Sequence, residues 1–346
     1  MRDLIQIGID HLTAPMHYRE RLAGSGQPAA ETLEELRREA ALDEVVLLST
    51  CSRFEVFARS AAPEASLAAT KAWFDRRLGG DAGGCLATRQ GQDVAAHLFR
   101  VAAGLDSWIL GESEILSQVK GAYQGALAGG FTGPRLNRIF QSAIAAGKSA
   151  RAKTGIQNGI HSIGGAAALL ARRIFGDGGK GRTVVFGAGQ AAEAVCRHLA
   201  AKNFDDVVIA NRTLERAEAL ARAIGGRAVG LEEGLALLGD AEIAVFSISA
   251  TEPVLSAPEL KSRLSHRRKS LFLIDLGMPR NVAPECAALP SVYVYDLDDL
   301  KNVVGDSMAR KAVAKDAAQA VIEEAVRECA RQLEKASARS AQEALS

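Results

Sequence analysis

Neither sign of charge is in excess: 42 lysines and arginines stand against 41 aspartates and glutamates, a formal net charge of +1. So small a charge draws the whole molecule to neither nucleic acid nor membrane, and any contact with RNA has to be local. The five cysteines, Cys51, Cys85, Cys196, Cys286 and Cys329, are odd in number and lack paired metal-ligand spacing. That argues against a disulfide framework and against a metal site, and it fits a reducing cytoplasm. A basic stretch followed by a long apolar run is also missing. Met1 to Asp10 alternate polar and apolar residues, so neither a signal peptide nor a membrane anchor is expected. No internal repeat and no low-complexity segment interrupts the chain. What is present is 346 residues, 48% hydrophobic and 24% charged, enough for two domains with cores of their own.

Periodicity divides the chain. Leu4 to Ile9, Glu44 to Ser49 and Phe54 to Ala58 have the pattern of strands, and Ala30 to Ala40 and Ala65 to Leu78 that of helices, which predicts an α+β domain. From Val94 to Ala150 the pattern is helical, with a break at the glycines and proline of Gly129 to Pro134, and a second helical run reaches Phe175. Past the flexible composition of Gly176 to Gly179, strands at Thr183 to Phe186, Val207 to Ala210, Ile243 to Ser247, Ser270 to Leu276 and Val292 to Tyr295 alternate with helices. That alternation predicts a doubly wound parallel sheet of Rossmann type, covered on both faces. From Ser307 onward the residues are helix formers. Ile322, Ala325, Val326, Cys329 and Leu333 make a single apolar stripe there, so weak association or none is expected through this end, with a small antiparallel pairing as the alternative.

Gly187-Ala188-Gly189-Gln190-Ala191-Ala192 follows an apolar strand and opens a helix, the context in which such a glycine pattern cradles a pyrophosphate. The first glycine allows the tight turn and the second lets the phosphates approach the backbone. The helix start offers unpaired N–H groups. At the end of the next strand an acid would select a free ribose 2′-hydroxyl, but the chain reads Asn211-Arg212-Thr213. An arginine there suits a 2′-phosphate, so NADPH is the expected cofactor, with Thr213 as N-cap of the following helix.

Thr50-Cys51-Ser52-Arg53 is a short turn between two predicted strands. A cysteine there is exposed, and Arg53 can lower its pKa and hold a carboxylate. On the residues alone this competes with the commoner role of a lone cysteine as a small buried hydrophobe.

The runs Ser49-Thr50-Cys51-Ser52-Arg53 with Glu55, Gly104-Leu105-Asp106-Ser107-Trp108-Ile109-Leu110-Gly111-Glu112, and Gln118-Val119-Lys120 resemble the glutamyl-tRNA reductase family. Later motifs agree in order: Gly147-Lys148, Thr154-Gly155-Ile156, Gly187-Ala188-Gly189, Asn211-Arg212-Thr213, Pro279-Arg280 and Asp298-Asp299-Leu300. The resemblance implies a glutamyl-recognition domain over 1–155, an NADPH-binding Rossmann-type domain over 156–300 and a C-terminal helix over 301–346, shortened relative to the family's dimerisation region. It implies that Cys51 attacks the ester joining glutamate to tRNA and that Thr50, Arg53, Ser107, Glu112 and Gln118 surround the glutamyl group. His97 matches a histidine of acid or base role, or serves the structure of its helix. Gly187, Gly189, Gln190, Ala191, Asn211, Arg212, Thr213 and Ser247 would hold the cofactor. The implied product, glutamate-1-semialdehyde, makes its aminotransferase a candidate partner, and the short C-terminus leaves homodimerisation open. Ser52, Phe54, Ser113-Glu114 and Gly277-Met278 depart from the family's usual residues. They keep two alternatives open: a reductase of another acyl-tRNA or carrier-bound acid, and a non-catalytic regulatory paralogue.

Overall fold

The computed structural model describes residues 1–24, 27–80, 84–176, 181–265, 267, 269–303 and 311–343. They form two compact units, Met1–Gly159 with Met308–Ser346, and Ile160–Ser307. The first unit is therefore discontinuous in sequence, with the second inserted before its last helix.

In the first unit, β1 (Leu4–Asp10), α1 (Met16–Ala23), α2 (Ala29–Glu39), β2 (Glu44–Ser49), β3 (Arg53–Arg59), α3 (Pro63–Leu78), β4 (Ala87–Gln90), α4 (Gln92–Ala103), α5 (Glu114–Ala128) and α6 (Pro134–Thr154) follow one another. The sheet order is β2-β3-β1-β4, antiparallel throughout. β1 and β3, central in the sheet, are buried along nearly their whole length; one face is apolar, and the other carries the buried Gln6, Asp10, Arg53 and Glu55. Phe54, a departure from the usual family residue, packs among Trp73 and Phe74 of α3, with ring centroids 6.2 and 5.9 Å away. The predicted helical run from Val94 is broken a second time, by the turn-rich loop 104–113 between α4 and α5.

The C-terminal helix, Ala312–Glu343, packs on α4 and α6. Its predicted stripe is real, but Ile322, Val326, Cys329 and Leu333 are all buried in the first unit's own core. These four side chains of the stripe are therefore covered within the chain itself. The predicted helix start at Ser307, like most of the glycine-rich stretch before residue 181, lies outside the described residues.

The second unit runs α7 (Ile163–Phe175), β5 (Arg182–Phe186), α8 (Gln190–Ala200), β6 (Val207–Asn211), α9 (Leu214–Ile224), β7 (Arg227–Gly230), α10 (Leu231–Ala236), β8 (Ala241–Phe246), α11 (Ala257–Arg263), β9 (Leu271–Asp275), β10 (Val292–Tyr295) and α12 (Leu297–Val303). All neighbouring strands are parallel, in the order β10-β9-β8-β5-β6-β7. This is the doubly wound Rossmann order, with the direction of winding reversing between β5 and β8. The sequence pattern anticipated five of its six strands. Among the described residues no helix is long and apolar enough to cross a membrane.

Candidate active site

Cys51 stands at the tip of the β2–β3 hairpin. Thr50 builds the tip: its N–H donates to the Arg53 carbonyl at 2.8 Å, and its Oγ1 accepts from the N–H groups of Ser52 and Arg53 at 3.2 Å each. The Ser52 hydroxyl shares a hydrogen bond with Thr50 Oγ1 at 3.3 Å, so serine at this position closes the turn. Cys51 itself is half-buried and free.

Arg53 does not flank the thiol in the way the turn suggested. Its guanidinium is fully buried, 3.2 Å from Glu55, and it donates to the Asp106 carbonyl at 2.6 Å. The cation that acts on Cys51 is Arg19 of α1, whose Nη1 donates to the Cys51 carbonyl at 3.2 Å and whose guanidinium lies 5.0 Å over the Trp108 ring. Even so, burial and then the carboxylates of Glu112 and Glu114 push the Cys51 thiol up to about 12, against the lowering by Arg19. The expectation of a thiolate stabilised by Arg53 is thereby corrected: the arginine's charge is spent on Glu55, and two acids outweigh the one cation beside the sulfur.

Glu55 continues inward. Its Oε1 lies 2.8 Å from His97 Nε2, and His97 Nδ1 lies 3.5 Å from Asp106 Oδ2. Asp106 is held by Arg100 at 2.6 Å. Burial opposes charge in this chain, but His97 and Arg53 hold Glu55 down at about 2. Burial likewise works against the imidazolium of His97, yet Glu55 and Asp106 raise its pKa. His97 is thus a buried cation clamped between two carboxylates. A cavity of about 410 Å³ opens beside it, lined by Asp10, Leu12, Arg89, Asp93, Ala96, His97, Arg100 and Asp106.

The loop 104–112 carries Ser107 and Glu112, both buried. Four cations fasten it: Arg53 on the Asp106 carbonyl, Arg100 on the Asp106 side chain, Arg151 on the Glu112 carbonyl at 2.8 Å and Lys311 on the Leu110 carbonyl at 2.8 Å. Ser107 Oγ is buried beside the Glu112 carboxyl, whose charged form its hydroxyl favours. Burial, reinforced by Glu114, raises Glu112 to about 7. Gln118 lies in the second turn of α5 and is half-buried. Sequence reasoning assigned no site role to Arg19, Glu114, Arg151 or Lys311, because each acts through space on a loop or hairpin remote from it in the chain.

In the second unit Gly187 leaves β5 at a φ of 111°, and a Cβ there would stand 2.2 Å from the Ser247 carbonyl oxygen. Only glycine fits that approach. A Cβ on Gly189 would meet nothing within 4 Å, so the backbone beside the start of α8 faces open space. Gln190 and Ala191 open that helix, whose first N–H groups lack intrahelical partners. Gly187 N–H is anchored on the Ala210 carbonyl and Ser247 N–H on the Phe186 carbonyl, both at 2.8 Å. These features fit a dinucleotide's pyrophosphate at the switch point. Asn211 ends β6, with its Nδ2 donating to the Thr213 carbonyl at 2.8 Å, and Arg212 is exposed. Thr213 occupies the N-cap position of α9, but its side chain makes no capping hydrogen bond. The predicted cap is therefore corrected to a position without the bond. Among the described residues no group of three His, Cys, Asp or Glu side chains could hold a metal ion.

The comparisons with known proteins agree with this division. Residues 7–154 match the glutamyl-tRNAGlu reductase N-terminal domain, and residues 169–303 match the shikimate / quinate 5-dehydrogenase model. A glutamyl-tRNA reductase from Deinococcus radiodurans is 38% identical over 323 residues, 93% of this chain and 90% of that protein. One from Akkermansia muciniphila is 35% identical, over 93% and 96%. The solved glutamyl-tRNA reductase from Methanopyrus kandleri is 32% identical with a TM-score of 0.56, covering 98% of this chain and 82% of that one. Identity of this extent, running through both the cysteine hairpin and the parallel sheet, shows that the chain belongs to the glutamyl-tRNA reductase family.

Proposed function

We propose that the protein reduces glutamyl-tRNA to glutamate-1-semialdehyde with NADPH, the entry step to 5-aminolevulinate and tetrapyrroles, through a thioester on Cys51. The observation that carries this reading is the free cysteine at a hairpin tip, in a chain whose likeness to glutamyl-tRNA reductases extends over that hairpin. The Cys51 sulfur must lose its proton to attack the ester carbonyl, and Glu112, at about 7, is poised to take it. The sulfur–carbon bond forms, the ester carbon–oxygen bond breaks, and the tRNA hydroxyl leaves with a proton. A nicotinamide cofactor held by the glycine turn and Ser247 would supply the hydride that reduces the thioester. Collapse of the resulting hemithioacetal then returns the electron pair to the Cys51 sulfur and frees the aldehyde.

Thr50 keeps the hairpin tip in place for this attack. Ser107, buried in the loop 104–112, and Gln118, half-buried in α5, are proposed to bind the glutamyl group. Arg53 and His97 are assigned to holding the loop 104–112 and Glu55 rather than to direct contact with the acyl group, since each is already engaged by protein carboxylates. In the second unit Gly187, Gly189, Gln190 and Ala191 would take the pyrophosphate and Ser247 the nicotinamide side. Asn211, Arg212 and Thr213 would take the adenosine ribose. The exposed Arg212, with no acid at the end of β6, supports NADPH over NADH. A semialdehyde aminotransferase as the next partner belongs to the same reading. So does a cytoplasmic location, which five free cysteines support.

A single-turnover experiment tests the proposal. With charged glutamyl-tRNA and no NADPH, a hydroxylamine-sensitive glutamyl adduct should appear on Cys51. Adding NADPH should convert it to semialdehyde, and Cys51→Ser should abolish both. Full reductase activity in that variant, or an adduct on Cys85 or Cys196, would overturn the thioester.

A further inference from the structure

Asn281 is polar yet wholly buried, 0% exposed. Its carboxamide makes two bonds to a single residue, Nδ2 donating to the Ile248 carbonyl at 2.9 Å and Oδ1 accepting from the Ile248 N–H at 2.8 Å. The Asn281 backbone is fixed separately: its N–H donates to Asp275 Oδ2 at 2.8 Å, and its carbonyl accepts from Val254 at 2.7 Å. Asp275, the last residue of β9, also takes the N–H of Val282 at 2.8 Å and of Gly277 at 2.9 Å. A Cβ on Gly277 would come within 2.5 Å of the Asn281 carboxamide, so the loop closes on this side chain only with glycine there.

Ile248 directly follows Ser247, whose carbonyl packs on Gly187 of the glycine turn and whose N–H is tied to β5. An unbroken line of contacts therefore leads from Asp275 through Asn281 and the Ile248 backbone to Gly187. The turn after β5 suits the pyrophosphate, and the adenosine side falls toward β6, where Arg212 stands. The other half of a dinucleotide then lies toward β8, across the switch point, over the Ser247–Ile248 segment.

We infer that Asn281 is a positioning residue that sets the Ser247–Ile248 backbone as the seat of the nicotinamide half, leaving the adenosine half to the glycine turn and Arg212. The inference rests on the nucleotide reading above. Asparagine suits the task because one side chain must both donate to a carbonyl and accept from an N–H at short reach. Alanine offers neither, and an ionised aspartate of the same shape faces the Ile248 carbonyl with a second acceptor.

The test compares NADPH with 2′,5′-ADP, which carries the adenosine half and its 2′-phosphate but no nicotinamide. In Asn281→Ala and Asn281→Asp, 2′,5′-ADP affinity, measured by calorimetry, should stay within about twofold of the original protein. NADPH affinity should fall by about tenfold, the effect of roughly 1.4 kcal/mol. The isosteric Asn281→Asp protein should regain part of that loss as the pH is lowered from about 8 to about 6, because a protonated carboxyl again donates to the Ile248 carbonyl. Equal weakening of both ligands, or no change in either, would overturn the inference while leaving the nucleotide site standing. Failure of the unaltered protein to bind either ligand would remove the nucleotide reading and this inference with it.

Discussion

The thiol on which the proposed chemistry depends should be nearly inert in the substrate-free protein. With its pKa pushed from 9.0 to about 12, Cys51 has about a thousandfold less thiolate at neutral pH than an ordinary cysteine, the equivalent of roughly 4 kcal/mol. Burial is the larger cause and Glu112 the next, so Glu112→Gln should leave most of the shift while removing its main electrostatic part. We expect the variant to alkylate at Cys51 about tenfold faster at pH 8, corresponding to about one pKa unit. Timed iodoacetamide quenching between about pH 7 and 10, with peptide mass spectrometry, reads the rate at Cys51 apart from the other four cysteines. An inflection at or below about pH 8.5 in the unaltered protein would refute the reasoning, because no buried acid would then be raising the thiol. No acceleration in Glu112→Gln would refute the part given to that residue. The same variant should acylate more slowly despite its readier thiolate, since the proposed proton acceptor is gone.

Arg212→Ala should weaken NADPH binding about tenfold to a hundredfold and leave NADH almost unchanged, as titration of nucleotide fluorescence would show; equal losses would contradict the 2′-phosphate assignment. Arg53→Ala strands the buried Glu55 and removes one fastening of the loop 104–112. It should cost about 3 to 5 kcal/mol in urea unfolding and abolish acylation, with nucleotide affinity intact. Asp275, raised by burial to about 7, keeps in the folded state a proton that the unfolded chain releases near 3.8. Its contribution to stability is present at low pH and lost as the pH rises through about 7. Urea midpoints between about pH 5 and 8 should fall with pH, and the slope should flatten in Asp275→Asn; an unchanged slope would assign it elsewhere.

The strands that a linear pattern could find were those rich in β-branched, aliphatic or aromatic residues. β2 and β3 matched the expected ranges to within a residue because their apolar runs are continuous. β4 and β7, Ala87–Gln90 and Arg227–Gly230, escaped notice because each holds one β-branched residue, whereas β10, an edge strand of the same length, reads Val-Tyr-Val-Tyr. The glycine turn was legible since its meaning rests on a strand before and a helix after, both local. Arg53 was visible as a charge beside Cys51 in the chain, but its partner was not, because Glu55 lies one pleat further along β3 and the acids around the sulfur come from another loop. The stripe on the last helix was equally plain, and what it faces was not: period specifies a face, never its neighbour.

The discontinuity of the first unit bears on how the molecule is made. Ribosomal synthesis delivers the cysteine hairpin and the loop 104–112 long before Lys311, which fastens that loop, and before the apolar helix that closes the core beneath it. The catalytic half thus reaches its final packing only after the entire nucleotide-binding half has been made. Until then a newly made chain carries Cys51 in an unfinished setting. By the same logic, separating the halves by cutting near residue 160 would leave the first without its last helix, whereas a circular permutant that joins residue 346 to residue 1 and opens there would keep all of its parts in one run.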